Sequence, residues 1–304
     1  MSNTTTQEQE QQVSLPPLGF EVIKREFIKD KGALFALFLL VAILSFILFS
    51  PFFVDFDALT KVTPMSIFNK YAPPGTEGYF LGADDGGRDI LALLVIGARN
   101  SLFIGWSVTI ITAIVGITVG IMSGYYGGIF DDIMMRIVDF IRILPQLVII
   151  IVLTTIIRKY DHWTLIWVIS AFGWTYNARL FRTATLSEAS KDYVSASKTM
   201  GTYDWKIMLL GVLPNLSSLL VTNLILAFAG NIALETGLSF LGFGLPTGTP
   251  SLGTLISAAS SPDVIKNKIW VWLPATLLVL IMTLCISYIG QALKRAANAK
   301  QRLG

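Results

Sequence analysis

The sequence predicts an all-α integral membrane protein with six transmembrane helices, and two observations support this fold class. The 304 residues are 53% hydrophobic and only 14% charged, which is too apolar for an ordinary soluble domain of this size. Several segments of more than 20 residues contain no charged side chain. About 20 apolar residues are enough for a helix to cross the hydrocarbon core of a bilayer.

The first predicted span is residues 32–54, a run of 23 residues without a charge. Residues 1–31 are polar and rich in Thr, Gln and Glu, then basic, and are interpreted as a disordered cytoplasmic tail. A cleavable signal peptide is not expected, because about thirty polar residues precede the apolar run and no small-residue cleavage site follows it.

Residues 55–99 form a polar connection between the first two spans. Their segment GADDGGRD, residues 82–89, places Asp84, Asp85 and Asp89 around Arg88. Three carboxylates could hold a metal ion, but an exposed turn paired to Arg88 is the favoured interpretation.

The second and fourth spans are predicted at residues 100–130 and 163–178. In the second, Gly116, Gly120 and Gly124 repeat every four residues. Small residues at this spacing let helices approach closely within lipid, and this packing face is preferred over a span with generic small residues.

The third span is predicted between residues 133 and 157. Arg136, Asp139 and Arg142 lie three apart at its start, where Asp139 would pair between two snorkelling arginines. This structural cluster is favoured over a proton relay, which would need further acids within the membrane. Pro145 is expected to kink the helix.

The fifth and sixth spans are residues 207–234 and 269–293. Between them, residues 235–253 read ETGLSFLGFGLPTGTPSLG, which is dense in Gly and Pro yet contains apolar side chains. Irregular backbone lies at membrane depth only where it is buried in protein or lines a cavity. A plain external loop is the other interpretation, and the sequence leaves both open.

Residues 192–215 are polar but keep helical periodicity on both sides of Gly201. Gly201 would end the first helix in a left-handed conformation, with Thr202 or Asp204 as the N-cap of the second. The two apolar stripes are Ala189, Tyr193, Ala196 and Met200, then Trp205, Met208, Leu209 and Val212. This amphipathic hairpin would suit the groove of a partner protein; a solvated connecting loop is the alternative.

The distribution of basic residues predicts the orientation of the chain. With these six spans, fifteen of the 23 Lys and Arg residues fall on the side of the N-terminus and eight on the other side. Because basic residues are enriched in cytoplasmic loops, both termini, including the tail 294–304, are predicted to be cytoplasmic. The hairpin is then cytoplasmic as well.

The hairpin resembles the EAA loop of ABC-importer permeases, whose pattern is Glu-Ala-Ala, three residues, Gly, nine residues, Ile, one residue, Leu-Pro. Ser195, Ala196 and Ser197 occupy the first three places, and the others hold Gly201, Gly211, Leu213 and Pro214. Residues 82–102 and 238–246 are similar to segments of peptide-importer permeases. The chain is therefore identified as a member of the C-type permeases of oligopeptide and dipeptide importers.

This resemblance implies a multi-pass protein of the bacterial plasma (inner) membrane, with a five-helix core at 100–293 and a coupling loop at 182–214. It implies four kinds of partner: a homologous second permease, two cytoplasmic ATPases that bind ATP and Mg, an extracytoplasmic peptide-binding lipoprotein, and the peptide. This chain itself would need no cofactor. The residues implied in ATPase coupling are Asp192, Tyr193, Ser195, Ala196, Ser197, Met200, Gly201, Leu213 and Pro214.

The sequence departs from the family pattern at Ser195, which replaces an acidic residue able to pair with an ATPase arginine. Asp192 and Glu188 lie one and two turns earlier and are candidates to replace it. Ala83 stands where the family usually has Thr, and Leu252 where it often has Trp.

Other classes of protein fit the sequence less well. The sequence contains no Walker-type glycine loop that would bind ATP. A single histidine, His162, is too little to indicate an enzyme site. The single Cys285 excludes a disulfide framework, and no arginine-rich stripe suggests nucleic acid. Import of dipeptides or nickel by the same architecture stays open. An ion-coupled secondary transporter is disfavoured, because the charge-free runs contain no ionisable side chain.

Overall fold

The computed structural model describes residues 25, 27–76, 78–157, 160–246 and 248–303, and this part of the chain is helical apart from loops and two isolated β-bridges. Nearly all of the predicted N-terminal tail therefore lies outside the described residues. The main helices are α1 Lys31–Phe49, α2 Ile90–Tyr126, α3 Gly128–Ile143, α4 Gln146–Ile156, α5 His162–Ala189, α6 Asp192–Thr199, α7 Ser217–Phe240, α8 Leu252–Ser257 and α9 Ile269–Leu303. Short helices cover Phe56–Leu59, Pro64–Ile67, Asp204–Lys206, Leu213–Asn215 and Pro262–Asn267.

Four described helices are long and apolar enough to cross a membrane, and α3 with α4 would make a fifth span if the pair is counted as one. The four are α1 with its 3₁₀ extension to Phe52, α2, α7 and α9. The predicted fourth span lies within α5, which is continuous for 28 residues. Its Thr, Asn and Arg side chains make α5 too polar to be recognised by composition alone.

Helix α2 starts at Ile90, ten residues before the predicted span, because the Asp89 side chain accepts a hydrogen bond from the Ala92 amide at 2.7 Å and caps the helix there. It packs along α5, and α7 lies against both α2 and α9. The predicted glycine face is confirmed: a Cβ at Gly116, Gly120 or Gly124 would lie 2.5–2.6 Å from an α5 backbone carbonyl oxygen.

Pro145 interrupts the third predicted span completely, whereas the sequence predicted only a kink. Helix α3 ends at Ile143 and α4 begins at Gln146, with their axes 80° apart. The predicted pairing of Asp139 between Arg136 and Arg142 is wrong, because Asp139 forms its ion pair with Arg179 of α5. The acidic face of α3 is turned toward α5. Its carboxylates therefore form ion pairs with a neighbouring helix, and not with basic side chains that reach the lipid headgroups.

A second ion pair joins α3 to α5. Arg182 donates from Nε and Nη2 to the two carboxylate oxygens of Asp131 at 2.6 and 2.5 Å. Asp131 is buried, while 31% of the Arg182 side chain is exposed. Bidentate geometry of this kind fixes the two helices in both position and angle.

Arg182→Ala is expected to destabilise the folded chain by about 1–3 kcal/mol, because the buried Asp131 carboxylate loses its partner while partial exposure moderates the penalty. Thermal unfolding in nanodiscs measures the effect. The matched control is Arg179→Ala, whose ion pair with Asp139 is half exposed on both sides. Equal losses of stability in the two variants would contradict the conclusion that burial of Asp131 makes its ion pair contribute more than that of Asp139.

The ends of α1 and α9 are held together by Asp30. This carboxylate caps α1 by accepting from the Ala33 amide at 3.1 Å, and it also accepts from Arg295 Nη2 at 2.7 Å and Tyr288 Oη at 3.3 Å. The Arg295 hydrogen bond holds the pKa of Asp30 below its usual range. The carboxylate therefore remains charged at neutral pH and keeps the first helix beside the last.

Candidate functional site

The hairpin that follows α5 has the predicted helix–turn–helix form. Helix α6 is followed by Gly201 at φ +75°, where the amides of Gly201 and Thr202 donate back to the Lys198 and Ser197 carbonyls at 3.0 and 3.1 Å. These are bonds of a glycine-terminated helix end. The predicted N-cap of the second helix is wrong, since Tyr203 occupies that position and makes no side-chain cap bond.

Val194 anchors α6 to the rest of the chain. It is 1% exposed and packs in a cluster with Ile121 of α2, Phe181 of α5 and Val212. Val194 lies off the predicted stripe, which explains why the sequence pattern missed it. The predicted stripe is divided: Ala189 and Tyr193 are half-buried and pack on this cluster, whereas Ala196 and Met200 are exposed.

The second half of the hairpin departs from the predicted stripe. Met208 and Val212 are buried, whereas Trp205 and Leu209 are exposed. Residues Ile207–Val212 form a π-helical turn, and its wider spacing changes the phase that a regular α-helix would give. The two groups of apolar residues therefore face in different directions.

Tyr193 links the two halves of the hairpin. A Cβ at Gly211 would lie 3.3 Å from the Tyr193 ring, so the ring occupies space that the larger residue of the family pattern would need. The phenol donates a hydrogen bond to Glu188 Oε1 at 3.1 Å. Burial raises the pKa of Tyr193, and the Glu188 contact adds to the rise, so the phenol remains a donor at neutral pH.

The predicted site residues fall into two groups. Residues 192–201 gather at the turn, where Ser197 Oγ donates to the Tyr193 carbonyl at 2.8 Å. Leu213 and Pro214 lie in the stem that leads into α7, and Leu213 packs on the cluster around Val194. The structure therefore brings the predicted residues of α6 together at the turn. Leu213 shares the cluster around Val194 with Tyr193, whereas Pro214 is exposed.

Of the two candidate replacements for the missing acid at position 195, only Asp192 is exposed. Glu188 is buried and is already engaged by Tyr193 and by the Lys191 ammonium, whose Nζ lies 2.7 Å from Glu188 Oε2. Ser195 is exposed and uncharged. Asp192 is thus the acid of this pair that a partner protein can reach.

Three large side chains project from the turn: Met200 is 76% exposed, Tyr203 70% and Trp205 55%. Lys198 lies above the Tyr125 ring, 4.4 Å from its centroid, and Lys206 lies 5.5 Å from the Trp205 ring. Aromatic and Met side chains grouped on an exposed surface are typical of protein–protein contacts.

Tyr125 ties this turn to the transmembrane helices. Its hydroxyl donates to Asp204 Oδ1 at 2.8 Å, and its side chain is buried at the C-terminal end of α2. No sequence pattern indicates this bond, because the two residues are 79 positions apart. The bond therefore joins the turn directly to the end of α2.

The glycine-rich turn at residues 82–89 lies at the other end of α2, which extends about 55 Å at 1.5 Å per residue. Asp84 accepts from the Gly86 and Arg88 amides at 2.9 and 2.8 Å, and from Arg88 Nε at 2.7 Å. The predicted pairing with Arg88 is confirmed, although Asp84 is buried rather than exposed. Asp89 caps α2 instead, and the described residues contain no group of three metal-binding side chains.

The Gly- and Pro-rich segment is also at this end, and it is only partly buried in protein: Gly244 and Leu245 are buried, whereas Leu241, Gly242 and Gly248 are exposed. Ser251 and Leu252 are fully buried, and Pro250 accepts a hydrogen bond from Asn100 Nδ2 at 2.8 Å. The segment lines a cavity of ≈ 670 Å³ together with Tyr71, Asp84 and other residues. The fully buried Glu235 lies behind this segment, and the sequence reading did not single it out.

Known proteins that are similar to this chain belong to transport systems. Residues 116–301 match the family described as binding-protein-dependent transport system inner membrane component. The chain is 48% identical over 279 residues to the oligopeptide transport system permease protein OppC of Lactococcus lactis, covering 92% of this chain and 94% of that protein. It is 33% identical over 288 residues to OppC of Mycobacterium tuberculosis, covering 92% and 94%.

A further relative is the dipeptide transport system permease protein DppC of Haemophilus influenzae, 31% identical over 276 residues, which cover 90% of this chain and 92% of that protein. The family and these relatives are permeases of ABC transporters and not enzymes. The chain therefore belongs to the binding-protein-dependent transport system inner membrane components, multi-pass proteins of the bacterial plasma membrane.

Proposed function

We propose that this chain is the permease subunit of an ATP-driven importer of oligopeptides, and that the hairpin at residues 192–215 couples it to a cytoplasmic ATPase. The substrate follows from the relatives named oligopeptide permeases; dipeptides are the alternative favoured by the DppC relative. The observation that carries the coupling role is the exposed group of Met200, Tyr203 and Trp205 on a turn bonded to α2.

The proposed topology has six spans, with α5 added to the four apolar helices and the α3–α4 pair. Both termini are cytoplasmic on the count of basic residues. The proposed organisation comprises the tail 1–31, the first span 32–54, the extracytoplasmic connection 55–99, the core 100–293 with its coupling loop 182–214, and the tail 294–304. In this orientation the cavity near Asp84 faces the extracytoplasmic side.

The proposed partners are a homologous permease, two ATPases that bind ATP and Mg, and an extracytoplasmic peptide-binding lipoprotein. When the ATPases close on ATP, their grooves move the hairpin. Val194 transmits this displacement to α5, and Asp204 transmits it to α2 through Tyr125. Coupling then requires only that nucleotide bind the two arrangements of the transporter with different affinity.

Tyr125→Phe is expected to lower ATP-dependent uptake about 5-fold without loss of the assembled complex, because it removes one partly buried hydrogen bond worth about 1 kcal/mol and leaves the ring in place. Uptake and ATP hydrolysis are measured together in proteoliposomes. Tyr126→Phe, at the exposed neighbouring tyrosine, is the control. If Tyr125→Phe takes up peptide as fast as wild type, the hydrogen bond between Tyr125 and Asp204 does not contribute to coupling.

The proposed function is tested by isolating the complex through this chain and by uptake of labelled peptides of two to six residues. We expect a second permease, two ATPase copies per complex and a peptide-binding lipoprotein. A photo-crosslinker attached at Met200→Cys should capture an ATPase, and one at Val54→Cys, on the opposite side, should not. A chain that purifies alone and captures no ATPase would contradict the proposal.

A further inference from the structure

Arg99 is an exposed arginine of α2. The helix between Arg99 and Tyr125, which bonds to the hairpin, is about 40 Å long at 1.5 Å per residue. The hydrocarbon core of a bilayer is about 30 Å thick, so Arg99 lies at the level of the headgroups in the leaflet opposite the hairpin. Within the described residues, its guanidinium forms no ion pair and no hydrogen bond. A basic side chain at this depth needs a polar partner.

The guanidinium borders a polar depression of ≈ 300 Å³. This depression is lined by residues 51–57, which follow α1, and by Ile96 and Arg99 of α2. Its two acids, Asp55 and Asp57, are exposed. Asp55 accepts a hydrogen bond from the Ala58 amide at 3.1 Å, whereas the Asp57 carboxylate forms no bond with another described residue. One cation and one anion therefore face the same depression without pairing with each other.

The surroundings of this depression are those of a membrane surface. Phe52 and Phe53 are 82% and 86% exposed and directly follow the first apolar helix, and aromatic side chains are enriched where a membrane meets water. A second depression of ≈ 310 Å³ lies beside the first along α2. Its lining is apolar and comes from α1, α2 and α9, with Ile43, Phe46, Leu94 and Val95 among its residues.

A phospholipid whose headgroup carries a primary ammonium matches both depressions. Its phosphate oxygens would accept hydrogen bonds from the fork of the Arg99 guanidinium. Its ammonium would donate to the Asp57 carboxylate, and one acyl chain would fill the apolar depression. An anionic headgroup without an ammonium would leave Asp57 unpaired and close to a like charge. The pair of opposite charges therefore favours a zwitterionic lipid over an anionic one.

We propose that Arg99 and Asp57 form a binding site for the headgroup of an aminophospholipid, with an acyl chain of the same lipid between α1 and α2. The site belongs to the leaflet opposite the hairpin, which is the extracytoplasmic leaflet in the proposed topology. The lipid supplies the counter-charges that the described residues do not provide. It also joins residues 51–57 to α2 at the point where the chain leaves the membrane.

The test measures lipid bound to the complex purified through this chain. The complex is incubated with mixed micelles that contain equal amounts of phosphatidylethanolamine and phosphatidylglycerol, and bound lipid is counted by native mass spectrometry. Wild type should retain phosphatidylethanolamine preferentially. Arg99→Gln should lower its retention about 10-fold, because the charge-assisted bonds to phosphate are lost, and Arg99→Lys should restore part of it. Arg136→Gln, at an exposed arginine of α3, is the control and should bind as wild type does.

A second variant tests the choice of headgroup. Asp57→Asn should abolish the preference for phosphatidylethanolamine over phosphatidylglycerol while lipid is still bound through Arg99. Both positions are exposed, so these variants should assemble normally.

Three outcomes would overturn the proposal. Arg99→Gln could retain as much lipid as wild type, or the preference for phosphatidylethanolamine could survive in Asp57→Asn. A photo-crosslinker attached at Phe53→Cys could also capture a protein of the complex instead of lipid, which would mean that a protein covers the depression. Lipid binding requires no transport, so a complex that takes up no peptide would refute the proposed function while this site is still tested.

Discussion

Gly201→Val is expected to abolish ATP-driven uptake while the chain still inserts and folds. Gly201 has φ +75°, a left-handed conformation that costs a residue with a Cβ about 1–2 kcal/mol and is worse for a β-branched side chain. The residue lies at the point where α6 turns toward Tyr203. A valine there would move the exposed group of Met200, Tyr203 and Trp205 away from the partner groove.

The structure separates backbone strain from crowding at this position. Among the described residues, no atom lies within 4 Å of a Cβ placed on Gly201, so a side chain meets open space. Gly201→Asn is therefore the matched control, because asparagine tolerates the left-handed region and should keep most of the uptake. Uptake in proteoliposomes, with ATPase capture as the second readout, decides the matter; normal uptake by Gly201→Val would show that the turn is not a rigid coupling element.

The parts of the fold that were predictable from the sequence depend on local chemistry. Charge-free runs predict the apolar helices, and Pro145 predicts a bend in the third span. Three glycines at a spacing of four predict the close helix contact that α2 makes with α5. The sequence predicts too late a start for α2, because Arg99 marks the edge of the charge-free run. A helix continues past the bilayer when a cap such as Asp89 permits it, so charge alone does not determine where it begins.

The parts of the candidate site that were missed depend on distant partners. The bonds of Tyr125 with Asp204 and of Ser101 with Leu252 join residues 79 and 151 positions apart. The π-turn at Ile207–Val212 changed which of Trp205 and Met208 is buried, and no local propensity indicates such a turn. Glu235 directly follows a charge-free run, and its place at the start of a Gly- and Pro-rich segment gives no local indication that it is buried.

Gly120→Leu is expected to prevent folding of the membrane core. A Cβ at Gly120 would lie 2.6 Å from the Ala178 carbonyl oxygen and 2.9 Å from the Arg182 amide nitrogen of α5. Both obstacles are backbone atoms, which cannot turn aside as a side chain can. The α2 and α5 helices would have to separate along their length, and overpacking of this kind costs about 1–3 kcal/mol or more.

The separation would reach beyond the helix pair. Gly116 and Gly124 share the same contact line with α5, so a displacement at Gly120 forces gaps at both, and those gaps forfeit the dispersion contacts that hold helices together in lipid. It would also shift α5 at Arg182, which pairs with Asp131 of α3. We therefore expect the loss to be cooperative across three helices rather than local.

Size-exclusion chromatography of a fluorescently tagged chain in mild detergent measures this effect. Gly120→Leu should elute in the void volume or be degraded, whereas Thr118→Leu, at an exposed position on the same helix, should elute as wild type does. Because the obstacles are backbone atoms, truncating side chains on α5 should not rescue Gly120→Leu. A single symmetrical peak from that variant would mean that α2 and α5 can separate without loss of the core. The close glycine contact would then not be required for this fold.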